Sequence, residues 1–169
     1  MKKTKTITQS AILIALALAL SYTERFIPLQ LVIPLPGVKL GLANIVTLTA
    51  LFLLGWKRTL PILVIRCLLG GMFGSLTSLI FSLAGGLLSL GIMALCRKIP
   101  LFSLYGISIL GAAVHNIGQI LAAMALMRSV YVAAYLPYLL LIGIFTGLAT
   151  GAACAGVLRV LKAGSISMK

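Results

Sequence analysis

The sequence predicts an all-α integral membrane protein of six transmembrane helices, N-in and C-in, on three observations. Hydrophobic residues make up 62% of the 169 residues and charged residues only 9%, whereas a soluble domain is near half apolar and a quarter charged. Apolar runs recur along the whole chain with short basic turns between them. At roughly 28 residues per pass, with about 20 in the span itself, this length holds six spans and almost nothing outside. The bases, finally, stand at the ends of the apolar runs, mostly on one side. Residues 1–169 are therefore read as a single transmembrane domain, and any activity is built inside the bilayer.

The chain opens on a basic start, MKKTKT, followed by the run Ile7 to Tyr22. This run resembles a signal peptide, but no A-x-A site precedes a polar mature domain, so it is read as a retained first span. Thr23-Glu24-Arg25 follows, then Phe26 to Pro36, FIPLQLVIPLP. Three prolines in eleven residues exclude a regular helix there, so this segment is expected at the interface or folded over protein. The second span runs from about Val38 to Leu54 and carries Lys39, Gly41 and Asn44 at its start. Gly55-Trp56-Lys57-Arg58 is read as a basic turn, with Thr59 as N-cap and Pro61 in the first turn of the next helix. The third span, Leu60 to Leu69, contains Arg66 and ends at Gly70, Gly71 and Gly74. The fourth runs from Ser75 to Cys96, before the turn Arg97-Lys98-Ile99-Pro100. The fifth, Leu104 to Met127, carries His115, Asn116 and Gln119. A Tyr-rich connection, Arg128 to Pro137, leads to the sixth span, Tyr138 to Leu161.

Fourteen Lys and Arg oppose one acid, Glu24, for a net charge of +13. The bases are scattered between apolar runs and no nucleic-acid-binding motif is present, so nucleic acid is excluded as a partner. With the N-terminus inside, Lys2, Lys3, Lys5, Lys57, Arg58, Arg97, Lys98, Arg159, Lys162 and Lys169 face the cytoplasm, ten of the fourteen. That is the positive-inside pattern of a multi-pass protein of the cytoplasmic membrane. Glu24, the proline segment, Lys39, Asn44 and Arg66 then gather toward the outer half.

The scarcity of special residues excludes whole classes of chemistry. One carboxylate cannot form a catalytic pair. No P-loop is present to bind ATP, and no Asp-rich motif to hold magnesium diphosphate. Cys67, Cys96 and Cys154 are far apart and form no metal pattern. The chain is therefore expected not to be an enzyme, to hold no metal, and to bind or translocate a small molecule.

Three constellations stand out. Ala11, Ala15 and Ala19, at i, i+4 and i+8, form one small-residue stripe on the first span, either a docking face for a partner subunit or internal packing. His115, Asn116 and Gln119 put three polar side chains into one helical turn, as the wall of a ligand pocket or as bonds between helices. Glu24 either pairs with Arg25, Lys39 or Arg66, or serves as a ligand contact or coupling proton site, and Arg66 pairs with Glu24 or with an anionic ligand. PGVKLGLAN, residues 36–44, brings Lys39 beside bare amides at a helix start, where an anion could sit.

PGVKLGLAN, the Glu24 and prolines before it, Arg66, and residues 111–119, GAAVHNIGQ, resemble the Gx transporter family, also labelled heptaprenyl diphosphate synthase component I. The resemblance covers nearly the whole chain. That family in turn is similar to the substrate-binding S components of energy-coupling factor (ECF) transporters. The resemblance implies six helices, an A-x-x-x-A stripe on the first (here Ala11, Ala15 and Ala19) that docks a transmembrane coupling subunit, and separate ATPases as the energy source. The substrate site is expected in an outward-facing pocket under the proline-rich loop, with Glu24, Lys39, Asn44, Arg66, His115, Asn116 and Gln119 as its residues. The expected substrate is a small, anionic, vitamin- or cofactor-like molecule, a flavin or isoprenoid-related compound among them. Two alternatives come from other classes. One is a subunit of extracellular electron transfer holding a bound flavin or quinone. The other is an accessory subunit of prenyl diphosphate synthesis, accessory because the chain has no Asp at all.

Overall fold

The computed structural model describes residues 2–26, 39 and 41–166, and every regular element among them is helical. The helices are α1 (Lys2–Thr23), α2 (Asn44–Leu54), α3 (Trp56–Met72), α4 (Leu76–Cys96), α5 (Leu104–Met127) and α6 (Leu136–Ile166). Short 3-10 turns, Glu24–Phe26 and Val130–Tyr135, follow α1 and precede α6. Among the described residues, four stretches are long and apolar enough to cross a membrane: Thr6–Thr23, Leu76–Cys96, Leu104–Met127 and Val130–Lys162. The protein is thus a multi-pass membrane protein.

Besides extensions at the ends of α1 and α6, the helix boundaries depart from the sequence reading in three places. The basic turn at Trp56-Lys57-Arg58 is already helical, because Gly55 turns the chain alone: its φ of 79° is open to glycine. Thr59 therefore does not cap a helix; its hydroxyl donates back to the Gly55 carbonyl at 3.0 Å. Gly70 and Gly71 do not break α3, which runs on to Met72, since packing against a neighbour overrides their weak helix propensity. The second helix begins six residues later than expected, at Asn44, after a turn at Gly41 with φ 84°. The proline segment expected between residues 26 and 36 lies outside the described residues beyond Phe26.

Hydroxyls inside these helices bond to their own backbone, which lets them sit in an apolar setting. Thr8 donates to the Thr4 carbonyl at 3.1 Å, Ser10 to Thr6 at 3.0 Å, and Thr49 to Ile45 at 2.7 Å. α4 and α5 are capped by serines. Ser75 accepts from the Ser78 amide and Ser103 from the Gly106 amide.

α2 is the shortest helix and the central one. It touches α1, α3, α4, α5 and α6, and seven of its eleven residues are buried. Its C-terminal end is pinned by Arg97. The guanidinium donates to the Leu51 carbonyl and lies 5.0 Å from the centre of the Phe52 ring, a cation placed where the helix dipole is negative.

Glycine sets the spacing of α4, α5 and α6. A Cβ at Gly118 of α5 would lie 2.8 Å from the Gly85 Cα and 2.9 Å from the Ala84 carbonyl oxygen. Backbone therefore meets backbone where α4 and α5 cross. On α6, Gly143, Gly147 and Gly151 recur every fourth residue and all face α5. A Cβ at Gly147 would lie 2.7 Å from the Ile109 Cα. The same contact carries two buried bonds, from the Ser108 hydroxyl to the Gly147 carbonyl at 2.6 Å and from the Asn116 amide to the Leu139 carbonyl at 2.7 Å.

Two apolar clusters fill the bundle. One gathers Leu48, Leu51, Leu63, Leu90, Met93 and Ile107. The other gathers Phe81, Ile120, Ala123, Val132 and Leu139. Along α4 and α5, Gly85, His115 and Gln119 fall between residues of the two.

Candidate functional site

The segment leading into α2 brings the unusual residues together. Gln119 on α5 holds the backbone of Lys39 from both sides: its Oε1 accepts from the Lys39 amide at 3.1 Å and its Nε2 donates to the Lys39 carbonyl at 3.0 Å. One side chain thus pairs with both main-chain groups of a residue outside regular structure, which answers the demand that buried backbone be satisfied. Gln119 Nε2 also lies 2.6 Å from His115 Nε2. As the amide donates there, the imidazole proton falls on Nδ1, which faces the bare backbone of Gly85; a Cβ at that position would lie 2.8 Å from Nδ1.

Three residues on, the Glu24 carboxylate accepts from the Leu42 amide through Oε1. Between these two attachments, Gly41 turns with its α carbon against Asn44 and His115; a Cβ there would lie 2.9 Å from Asn44 Nδ2 and 3.2 Å from the imidazole. Gly41 is thus required twice, for its positive φ and for its lack of a side chain. Lys39 reaches toward α4, its Nζ 3.5 Å from the Ser82 hydroxyl.

Arg66 approaches from α3. It is only 6% exposed, and among the described residues its Nε and Nη2 make no hydrogen bond. Glu24 Oε2 and Asn44 Oδ1 are buried and equally without a bond. Buried polar atoms are nearly always bonded, so a donor-rich guanidinium and two acceptor oxygens in one neighbourhood make this a candidate site for a polar ligand. The Lys39 and Arg66 charges both act on Glu24. Burial pushes its carboxyl up from the ordinary carboxylate range, and the Leu42 amide, those two cations and the Gly41 amide oppose that rise.

Of the residues singled out from the sequence, Glu24, Lys39, Asn44, Arg66, His115 and Gln119 gather here. Asn116 does not join them. One residue after His115, it turns to α6 and bonds the Leu139 carbonyl. Ala11, Ala15 and Ala19 are exposed along α1, whose only buried side chain among those described is Ala17. Sequence reasoning missed Ser82, Gly85 and the groove between α1 and α3. That groove is lined by Leu18, Ala19, Ser21, Tyr22, Lys39, Gly70 and Phe73 and has a volume of about 560 Å³. The paired glycines of α4 were the available signal, because a run of small residues in an apolar span marks close approach; here Ala84-Gly85-Gly86 stands opposite His115 and Arg66.

No curated protein sequence and no solved structure matches the chain. The family model described as heptaprenyl diphosphate synthase component I matches residues 13–157, which spans every residue of the cluster. With that match over most of its length, the chain belongs to the heptaprenyl diphosphate synthase component I family, the one its PGVKLGLAN and GAAVHNIGQ motifs suggested.

Proposed function

We propose that the chain is the substrate-binding component of a membrane uptake system, of the S-component type, and that the cluster around Arg66 holds a small organic anion. The observation that carries this reading is the buried guanidinium whose Nε and Nη2 have no hydrogen-bond partner among the described residues. A cation held at membrane depth is costly unless it meets an anion, and the nearest carboxylate has one oxygen engaged by the Leu42 amide. Lys39 adds a second positive charge, so two cations oppose one acid and favour phosphate or carboxylate in the ligand. In this reading the single domain crosses the cytoplasmic membrane six times with both ends inside. The exposed alanine stripe receives a coupling subunit, separate ATPases supply the energy, and no bond is made or broken by this chain.

Two measurements test it. Arg66→Gln should weaken an anionic ligand, identified by mass spectrometry of the protein purified in mild detergent, by about tenfold or more. A neutral analogue should lose far less. Equal affinity of wild type and variant, titrated on folded protein, would remove Arg66 from the site and the anion reading with it. A reducible flavin or quinone retained through purification would instead favour electron transfer. For the topology, single cysteines at positions 57 and 97 should be labelled only from the cytoplasmic side in intact cells. Labelling of position 97 from outside would overturn the six-span arrangement.

A further inference from the structure

The groove between α1 and α3 is not a second, unrelated hollow. Lys39 lines it and also lies in the cluster, its backbone held by Gln119. Gly70 lines it too, and Arg66 stands four residues earlier on α3, one turn deeper on the same face. The remaining walls are apolar or nearly so. Leu18 and Ala19 come from α1, the bare Gly70 leaves the width, and Tyr22 and Phe73 stand 56% and 74% exposed. One cation in its wall, Lys39, a second, Arg66, one turn beyond Gly70, and apolar walls along the rest describe a complementary molecule: an anionic head joined to an apolar tail. The volume falls within the range of about 300–1,000 Å³ typical of small-molecule sites.

We propose that the groove takes the tail of a single-chain amphiphilic anion whose phosphate-like head lies at Lys39 and Arg66. The inference rests on the anion-binding reading above and deepens it to a substrate class. Glu24 lies in the same neighbourhood and opposes a negative head. One of its oxygens is bound to the Leu42 amide, and the two cations still leave one positive charge in surplus. A short, purely polar anion would have no use for the α1 and α3 walls. An uncharged chain, such as bilayer lipid supplies everywhere, would have no use for the cations.

The chain's single Trp, Trp56, lies at the far end of α3 from the groove, which provides a clean probe. Trp56→Phe combined with Phe73→Trp puts the only indole on the groove wall. The protein, in phosphatidylcholine nanodiscs, is titrated with dodecyl phosphate, butyl phosphate and dodecanol. The wild-type Trp56 reports any general change in the bilayer. Dodecyl phosphate should shift the emission at position 73 saturably, with butyl phosphate and dodecanol at least tenfold weaker. Gly70→Leu should abolish the advantage of dodecyl over butyl phosphate. Gly70→Ala serves if the leucine variant misfolds, because its Cβ would meet Leu18 only at 3.8 Å, and it should reduce the advantage. Equal binding of butyl and dodecyl phosphate would overturn the groove inference while leaving the anion site standing. Dodecanol matching dodecyl phosphate would make the groove an ordinary lipid contact and also overturn it. Saturable binding of neither phosphate, checked by calorimetry, would remove both readings together.

Discussion

Gly118→Val is expected to unfold the protein at a markedly lower temperature, with a loss of about 3 kcal/mol, the upper end of what overpacking usually costs. The new side chain would begin 2.8 Å from the Gly85 Cα and 2.9 Å from the Ala84 carbonyl oxygen. Neither is the end of a flexible side chain, so no rotamer change relieves the clash and α4 must move off α5. His115 and Gln119 lie one turn away and beside it, so the surviving folded protein should also lose the geometry of the cluster. Thermal unfolding in detergent measures the first effect and ligand titration below the transition the second. Gly156→Val is the control, since nothing lies within 4 Å of its Cβ position, and it should leave the transition almost in place. A Gly118→Val transition at the wild-type temperature would mean that the α4–α5 contact is looser than described.

Gln119→Leu should have the next largest effect. It removes both bonds to the Lys39 backbone at once, along with the contact to His115. A buried group left without a partner costs about 1–3 kcal/mol, reduced here because Lys39 is only half-buried. Bonds between membrane helices average lower, about 0.6 kcal/mol, so the expected loss is about 2 kcal/mol over the two groups. The sharper readout is hydrogen exchange at the Lys39 amide, which should lose its protection in the variant. Gln119→Glu keeps the acceptor for that amide and loses the donor to the carbonyl, so it should retain part of the protection. Unchanged exchange in Gln119→Leu would show that Gln119 does not hold the segment.

This differs from what the sequence implies for a pocket wall, where an amide lost without ligand should barely alter stability. The polar turn was legible as three residues needing partners, yet periodicity cannot say which partner each finds. His115 and Gln119 are four apart and share a face, as expected. Asn116 is one residue from His115, about 100° round the helix, and that rotation turns it toward Leu139 on α6. Gln119 reaches a backbone eighty residues earlier in the chain, a contact no local pattern encodes. The apolar spans, the bases at their ends and the cluster residues were readable because each is costly in lipid by itself. The Gly143, Gly147 and Gly151 series shows small residues at every fourth position, though the alanine stripe of α1 has the same spacing and is exposed. The extent of α3 was not readable, since the two glycines before Met72 break a helix in isolation and are tolerated where Leu79 packs against Gly71.

The shortness of α2 has an electrical consequence. Eleven residues rise about 16 Å, roughly half of a hydrocarbon core about 30 Å thick. With Trp56 just beyond its far end taken as the cytoplasmic interface, Asn44 at its start and Arg66, ten residues along α3, would lie below the outer interface, inward of Glu24 at the end of α1. In the orientation proposed above, an anion arriving there from outside has moved through part of the transmembrane voltage. The full drop is worth about 2.3 kcal/mol per charge per 100 mV, and an inside-negative potential opposes each negative charge by the corresponding fraction. Fixed positive charges at that depth, Lys39 and Arg66, offset this opposition before any contact with the ligand is counted. Occupancy should therefore fall as a proteoliposome is polarised negative inside and recover when the gradient is collapsed.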